Sequence, residues 1–227
     1  ALHRSSGKDS FLKFVGMVDC PGAPTTEPEP EVYYQQRLIP AAHHKLIIAA
    51  IHDMADGIDH DVDGLMIFCP PGSAKSSYAS TLAPPWLMGR RPGTNIISAS
   101  YGQELANRFG RRARTVVRSQ EFSQIMGCGL SEDHQAITEW SATNGSDYRG
   151  AGLGAGITGF RADWFFIDDP IKNREDADSE TIRNKVWDGF NDDVDSRLKP
   201  GGKICLIQTR WHEDDLAGSL LGDEWKG

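Results

Sequence analysis

The segment GLMIFCPPGSAKSS, Gly64 to Ser77, decides how this 227-residue chain is read. A run of small and apolar residues, Gly64 to Cys69, passes directly into Pro70-Pro71-Gly72, and a lysine and two serines follow. An uninterrupted apolar run of this length, closed by turn residues, predicts a strand buried on both faces. The residues after it predict a loop that feeds a helix. In an open parallel sheet, ligands bind outside the carboxyl ends of the strands. Backbone N–H groups of Gly72 to Ser76, with a helix dipole behind them, can surround an anion such as a phosphate.

The phosphate-binding loop has the form G-x-x-x-x-G-K-S/T. Aligned on Lys75, its first glycine falls on Cys69 and its second on Ala74, so the strict pattern fails twice. What survives is Lys75-Ser76 at a strand-to-helix junction, inside a loop running from Pro71 through Gly72, Ser73 and Ala74 to Ser77. Lys75 would reach the outer phosphates of a nucleotide, and the Ser76 hydroxyl would hold Mg²⁺. An ordinary turn carrying a surface lysine satisfies the same residues. The loop therefore needs a partner elsewhere in the chain.

Three more short apolar runs lie downstream: NIISAS (Asn95–Ser100), WFFID (Trp164–Asp168) and KICLIQT (Lys203–Thr209). Amphipathic helices are predicted over Ala42–Ala55, Gln103–Arg118 and Asp178–Lys199, and an alternating strand over Ala136–Ala142. The glycine-rich stretch Gly145–Gly159 reads as a mobile or tightly turning connection. Apolar runs separated by such helices predict an α/β fold whose parallel sheet is covered on both faces. Residues 1–36, with the Pro- and Glu-rich CPGAPTTEPEPE, read as an arm or linker, and 37–227 as the domain.

The partner for the loop stands at the end of WFFID. Asp168-Asp169-Pro170 follows that strand directly, and a strand-end carboxylate beside a phosphate loop is positioned to bind Mg²⁺. Asp168 suits the metal role, and Asp169 suits a base that orients and deprotonates water. The same three residues are also good turn chemistry. Composition bounds the rest. A formal net charge of −8 argues against a general basic coat for nucleic acid. Four scattered cysteines without a C-x-x-C pair fit a reducing compartment rather than a disulfide framework or zinc site. No apolar run approaches the ~20 residues of a membrane helix.

Taken together, PPGSAKS, NIISASYGQELANRFGRRAR, ITGFRADWFFIDDP and KICLIQTRWHEDDLAG resemble the ATPase domain of bacteriophage large terminase subunits, from about Ile39 to Leu221. The resemblance implies a P-loop NTPase fold of the ASCE/RecA-like type, with a mainly parallel central sheet flanked by helices. It also implies an Mg²⁺-dependent ATP hydrolase that moves double-stranded DNA into the procapsid. ATP and Mg²⁺ would be the cofactors. The partners would be DNA, the portal protein, the small terminase subunit and further copies of the chain, as a pentameric ring on the procapsid and a monomer in solution. Its place would be the cytoplasm of the infected host. Lys75 and Ser76 match the phosphate-loop residues, Asp168 the metal acid and Asp169 the catalytic acid. Gln208-Thr209-Arg210 matches the motif that senses the γ-phosphate, and His44 falls in the adenine-contacting segment.

Two departures from the family pattern stand out: Ala74 replaces a glycine, and Asp169 stands where many relatives have Glu. Ala74 must take a negative φ or accept strain. An alternative function is therefore a catalytically weak nucleotide-binding assembly module that needs partners for turnover. Arg149 and Arg161 are candidates for an arginine finger acting on a neighbouring copy. Arg108, Arg111 and Arg112, with Arg114 and Arg118, lie opposite the apolar stripe of their helix and could follow a DNA backbone. A nuclease domain such as terminases carry after the ATPase has no room before Gly227, so no cleavage is expected of these residues.

Overall fold

The structure, a computed structural model, describes residues 2–22, 37–57 and 64–222. Among them the chain forms one seven-stranded sheet in the order β1-β7-β6-β2-β5-β4-β3. The strands are β1 (Gly64–Phe68), β2 (Asn95–Ser100), β3 (Leu130–Gln135), β4 (Glu139–Ala142), β5 (Asp147–Gly152), β6 (Ala162–Asp168) and β7 (Leu198–Gln208). The pairs joining β1, β7, β6, β2 and β5 are parallel, whereas β4 runs antiparallel to β5 and β3 antiparallel to β4.

The continuous apolar runs serve two faces at once. In β6, Trp164 and Phe166 join one core cluster while Phe165 and Ile167 join the other. Cys205 and Ile207 of β7 face the first cluster, and Ile204 and Leu206 the second. Alternate side chains of a strand point to opposite faces, so a sheet covered on both sides requires apolar residues throughout.

Helix α3 (Ala42–Asp56) covers the first face with Ile47, Ile48, Ile51 and Met54, and stops at Gly57, whose φ of 65° is the usual left-handed cap. The helix after the first loop begins at Lys75 as α-helix, widens to a π-helix over Ser77–Leu82 and continues as α4 (Ala83–Arg90). Helix α5 (Gln103–Arg118) lies on the same face through Ala113, Val116 and Val117. The second face is covered by α8 (Glu180–Arg197) and α9 (Leu216–Gly222), through Phe190, Val194, Leu216 and Leu220.

Four expectations are corrected. The first part of the segment read as an arm is packed. Helices α1 (Leu2–Asp9) and α2 (Phe11–Val15) carry Phe11, Phe14 and Val15, and these with Val18 and Cys20 are fully or almost fully buried. Phe11 stacks on Trp86 of α4 with ring centroids 4.9 Å apart, and Phe14 meets Phe122 of α6 (Gln120–Met126) edge-on at 6.2 Å. Apolar residues spaced for a short helix were overshadowed by the Pro- and Glu-rich tract beside them, whose residues 23–36 lie outside the described ones.

The stretch Gly145–Gly159 contains β5, an interior strand. Its glycines answer to close approach. A Cβ on Gly150 would lie 3.3 Å from the Ala106 carbonyl oxygen, and one on Gly152 would lie 3.3 Å from the Gln103 nitrogen, both on α5. The strand read over Ala136–Ala142 is β4 from Glu139, with an unforeseen partner in β3. The long helix read over Asp178–Lys199 breaks at Ser179 between α7 (Arg174–Asp178) and α8, and Leu198 already belongs to β7.

No helix among the described residues is long and apolar enough to cross a membrane. The four cysteines are free thiols.

Because Phe14 is 0% exposed, Phe14→Ala should destabilise the fold by about 3–5 kcal/mol, read as a lower midpoint in urea denaturation. A side chain on a solvated arm would change stability by no more than about 0.5 kcal/mol.

Candidate functional site

The register of the sheet brings distant residues to one rim. Phe68 is level with Gln208, Ile207 with Asp168, and Asp168 with Ser100. The loop after β1, the acid pair after β6 and Thr209 after β7 therefore leave the sheet together. They border a cavity of about 410 Å³ lined by Pro71 to Ser77 on one side and by Asp169, Ile171, Lys172, Thr209 and Trp211 on the other.

Lys75 is the central group. It is almost fully buried, and its Nζ donates to Thr209 Oγ1 at 3.1 Å and lies 3.5 Å from Asp169 Oδ2. Thr209 in turn donates its hydroxyl proton to the Cys69 carbonyl at 3.1 Å, and its N–H donates to Asp169 Oδ1 at 3.2 Å. Lysine, acid and threonine thus bridge all three strand ends. Ala74 and Asp169, on opposite banks of the cavity, have φ of 59° and 45°. Ala74 accepts the strain that a glycine would avoid, at about 1–2 kcal/mol. Successive N–H groups around a residue at positive φ are the backbone arrangement of an anion nest.

Asp168 sits beneath this layer and is 0% exposed. Burial, and next the Asp169 charge, push its carboxyl up from 3.8 to about 7, against the opposing influence of the Ser80 and Ser76 hydroxyls and the Lys75 ammonium. Its Oδ2 accepts from the Ser80 hydroxyl at 2.5 Å. Its Oδ1 is buried and has no hydrogen-bond partner among the described residues. A buried carboxylate oxygen left without a partner among these residues, on a carboxyl that also feels the Ser76 hydroxyl, suits a small hard cation. The described residues hold no cluster of three or more His, Cys, Asp or Glu that would form an all-protein metal cage. Mg²⁺ fits this donor set, since it commonly takes one or two protein oxygens and completes its shell with phosphate oxygens and water.

Other candidates stand apart. His44 does not line the cavity. Its Nε2 is 2.8 Å from the Ser73 carbonyl, so that nitrogen carries the proton, while Nδ1 accepts from the Ala41 N–H at 3.1 Å. The ring also packs at a tilt against Tyr78 with centroids 4.5 Å apart. His44 is thus tied to the loop through Ser73 and stands outside the lining of this cavity. Gln208 is buried with its amide nitrogen lacking a partner among the described residues, and only its neighbour Thr209 reaches the cavity. Arg210 is held by Asp215, with Nε 2.8 Å from Oδ2, and lies over the Phe68 ring.

Neither finger candidate reaches the cavity of its own chain. Arg149 lies within β5, bound to the Thr158 carbonyl at 3.1 Å and 3.6 Å from Glu139. Arg161 precedes β6, at the end of the sheet opposite Asp168. On α5, Arg114 is tied to the carbonyls of Gln135 and Ala136, and Arg118 to the Gln135 side chain. Arg112 is half-buried against Gly22, leaving Arg108 and Arg111 exposed. Sequence reasoning missed Ser80, Tyr78 and Trp211. Of these only Ser80 had a signal, standing one helical turn after Ser76.

A phosphate-type loop leading into a helix, with an acid pair on a non-adjacent parallel strand at the same rim, defines a P-loop nucleotide-binding fold. A family model described as the N-terminal part of the terminase large subunit, T4likevirus-type, matches residues 66–226, and the chain belongs to that family. No curated protein matches it. The fold is similar to a crystal structure of the HK97 bacteriophage large terminase, with a TM-score of 0.61 and 10% identity, covering 96% of this chain. The chain spans 42% of the length of that protein.

The Asp168 carboxyl gives the ligand-free chain a characteristic pH response. It titrates near 3.9 when unfolded and near 7 when folded, so the folded state takes up a proton between these values. The resulting stabilisation is complete below about pH 4 and is lost as the pH rises through about 7. Denaturant midpoints should carry a component that falls over that window, and Asp168→Asn should remove it. Parallel pH profiles for the two proteins would contradict a buried, raised carboxyl.

Proposed function

We propose that this chain is the Mg²⁺-dependent ATPase domain of a DNA-packaging motor, hydrolysing ATP to drive double-stranded DNA into a procapsid. Family membership supports the reading. The observation that carries it is the meeting of Lys75 with Asp169 at 3.5 Å and with Thr209 at 3.1 Å, at the mouth of a cavity bordered by Pro71–Ser77.

On this reading the loop N–H groups wrap the phosphates and Lys75 meets the outermost one. Ser76 and Asp168 would hold Mg²⁺, which when bound would supply charge neutralisation for the phosphates. Arrival of the nucleotide draws the ammonium from Asp169 to phosphate. Asp169 is thereby freed to orient a water and accept its proton at Oδ2. Thr209, bonded to both Lys75 and Asp169, registers whether the γ-phosphate is present and passes the change to β7. An arginine from a neighbouring copy in a ring would complete the charge stabilisation, and exposed Arg161 is better disposed for that than Arg149. The portal protein, the small terminase subunit and the pentameric ring belong to the same proposal, as does action in the cytoplasm of the infected host.

The assembly-module alternative draws on the strained Ala74 and on Asp169 being paired with Lys75. Phosphate release separates the two readings. Lys75→Ala should abolish ATP hydrolysis, and Asp169→Asn should keep nucleotide binding while lowering turnover roughly 10²–10⁴-fold. Tight ATP binding by the unaltered chain with no phosphate release, even with DNA and assembled partners, would select the alternative.

For DNA, exposed Arg108 and Arg111 are the contact candidates, with Arg112 beside them. Reversing the charge of the first two should weaken duplex binding and make the dependence of log affinity on log salt shallower by about 2. An unchanged slope would remove α5 from the DNA path.

A further inference from the structure

On the ATPase reading above, we infer that Ser80 is a positioning residue: its hydroxyl fixes the Asp168 carboxylate so that Oδ1 is presented to the Mg²⁺ of a bound nucleotide. Ser80 and Asp168 are both 0% exposed, and the Ser80 hydroxyl donates to Oδ2 at 2.5 Å. A serine hydroxyl has one proton to give, so it commits one carboxylate oxygen and leaves the other. That other oxygen, Oδ1, is the one without a partner among the described residues.

The two serines divide the work by depth. Ser76 lines the cavity and can touch a ligand, whereas Ser80, one turn further along the helix, does not line it. Asp168, to which Ser80 is bonded, lies beneath the lining as well, so any action of Ser80 on the site passes through that carboxylate. The need for such a group is physical. The terminal torsion of an aspartate is broad and roughly two-fold, and the charge of Asp169 repels the carboxylate. Without the Ser80 bond, Oδ2 loses its hydroxyl donor and nothing distinguishes the two oxygens in the way seen here. The π-helical widening over Ser77–Leu82 lies in the segment that carries Ser80 over the end of β6. Local widenings of this kind recur at functional sites.

The test is nucleotide binding with and without metal, read by titration of a fluorescent ATP analogue into the full chain in Mg²⁺ and in EDTA. Loss of an outer partner of a metal-holding residue typically lowers metal affinity 10–100-fold. Ser80→Ala should therefore reduce the Mg²⁺-dependent gain in affinity by that factor and leave the affinity in EDTA within about twofold. Ser80→Cys keeps the side-chain size with a weaker donor and should fall between alanine and serine. It also carries the comparison if the alanine variant does not fold. An unchanged Mg²⁺ gain in the folded variants would overturn the inference, as would equal losses in Mg²⁺ and EDTA, the mark of general damage to the loop. If the unaltered chain gains nothing from Mg²⁺, the ATPase reading falls first, and the role of Ser80 falls with it.

Discussion

Parallel strands in register end at one level, and the chemistry of this chain depends on that constraint. Cys69, Asp169 and Thr209 are far apart in sequence, yet each is the first residue beyond a strand that stops at the same height. The backbone itself ties two of these exits: the Cys69 N–H donates to the Gln208 carbonyl and the Asp169 N–H to the Ile207 carbonyl. A slip of one residue between β6 and β7 would turn Asp168 to the other face of the sheet. The two-sided apolar core opposes such a slip, because it would send Phe165 and Phe166 each to the cluster meant for the other.

The same layer concentrates what is costly. A fully desolvated carboxyl, a buried lysine and two non-glycine residues at positive φ meet at one rim of the sheet. Strained backbone persists where its surroundings over-determine it. Here Asp169 is held through its own N–H and also through its carbonyl, which accepts from the Tyr101 N–H at 3.2 Å, while the Ala74 carbonyl accepts from the Ser77 N–H at 2.9 Å. Each strained residue is thus pinned by main-chain bonds that do not depend on its own side chain.

The apolar runs of β2, β6 and β7 were legible as strands because burial on both faces leaves a composition signal that needs no partner to be read. The run of β1 was also legible as a strand, but it lies at the sheet edge and is only partly buried, with Phe68 42% exposed. Asp168-Asp169 and Lys75-Ser76 were legible because each stands at the end of such a run. Three features were not. Gly150 and Gly152 carry no side chain to reveal burial, and only the approach of α5 explains them. The β3–β4 pair depends on cross-strand partners that local pattern does not contain. His44 could be placed near the loop, but its two hydrogen bonds, to Ser73 and to Ala41, are matters of geometry alone. The arginines of α5 show the same limit: helical spacing sorted them to one side, yet only packing reveals that Arg114 and Arg118 are already engaged.

Among the described residues β1 is the outermost strand, paired with β7 alone. The strand that carries the loop is thus fastened along a single seam, like the leaf of a door rather than a plank in a floor. A shift of β7 passes to it without a second strand to oppose the motion, while the core that Ile67 shares with α3 restrains it from one face. Thr209 sits at the end of that seam, and its hydroxyl reaches across to the Cys69 carbonyl where the loop begins.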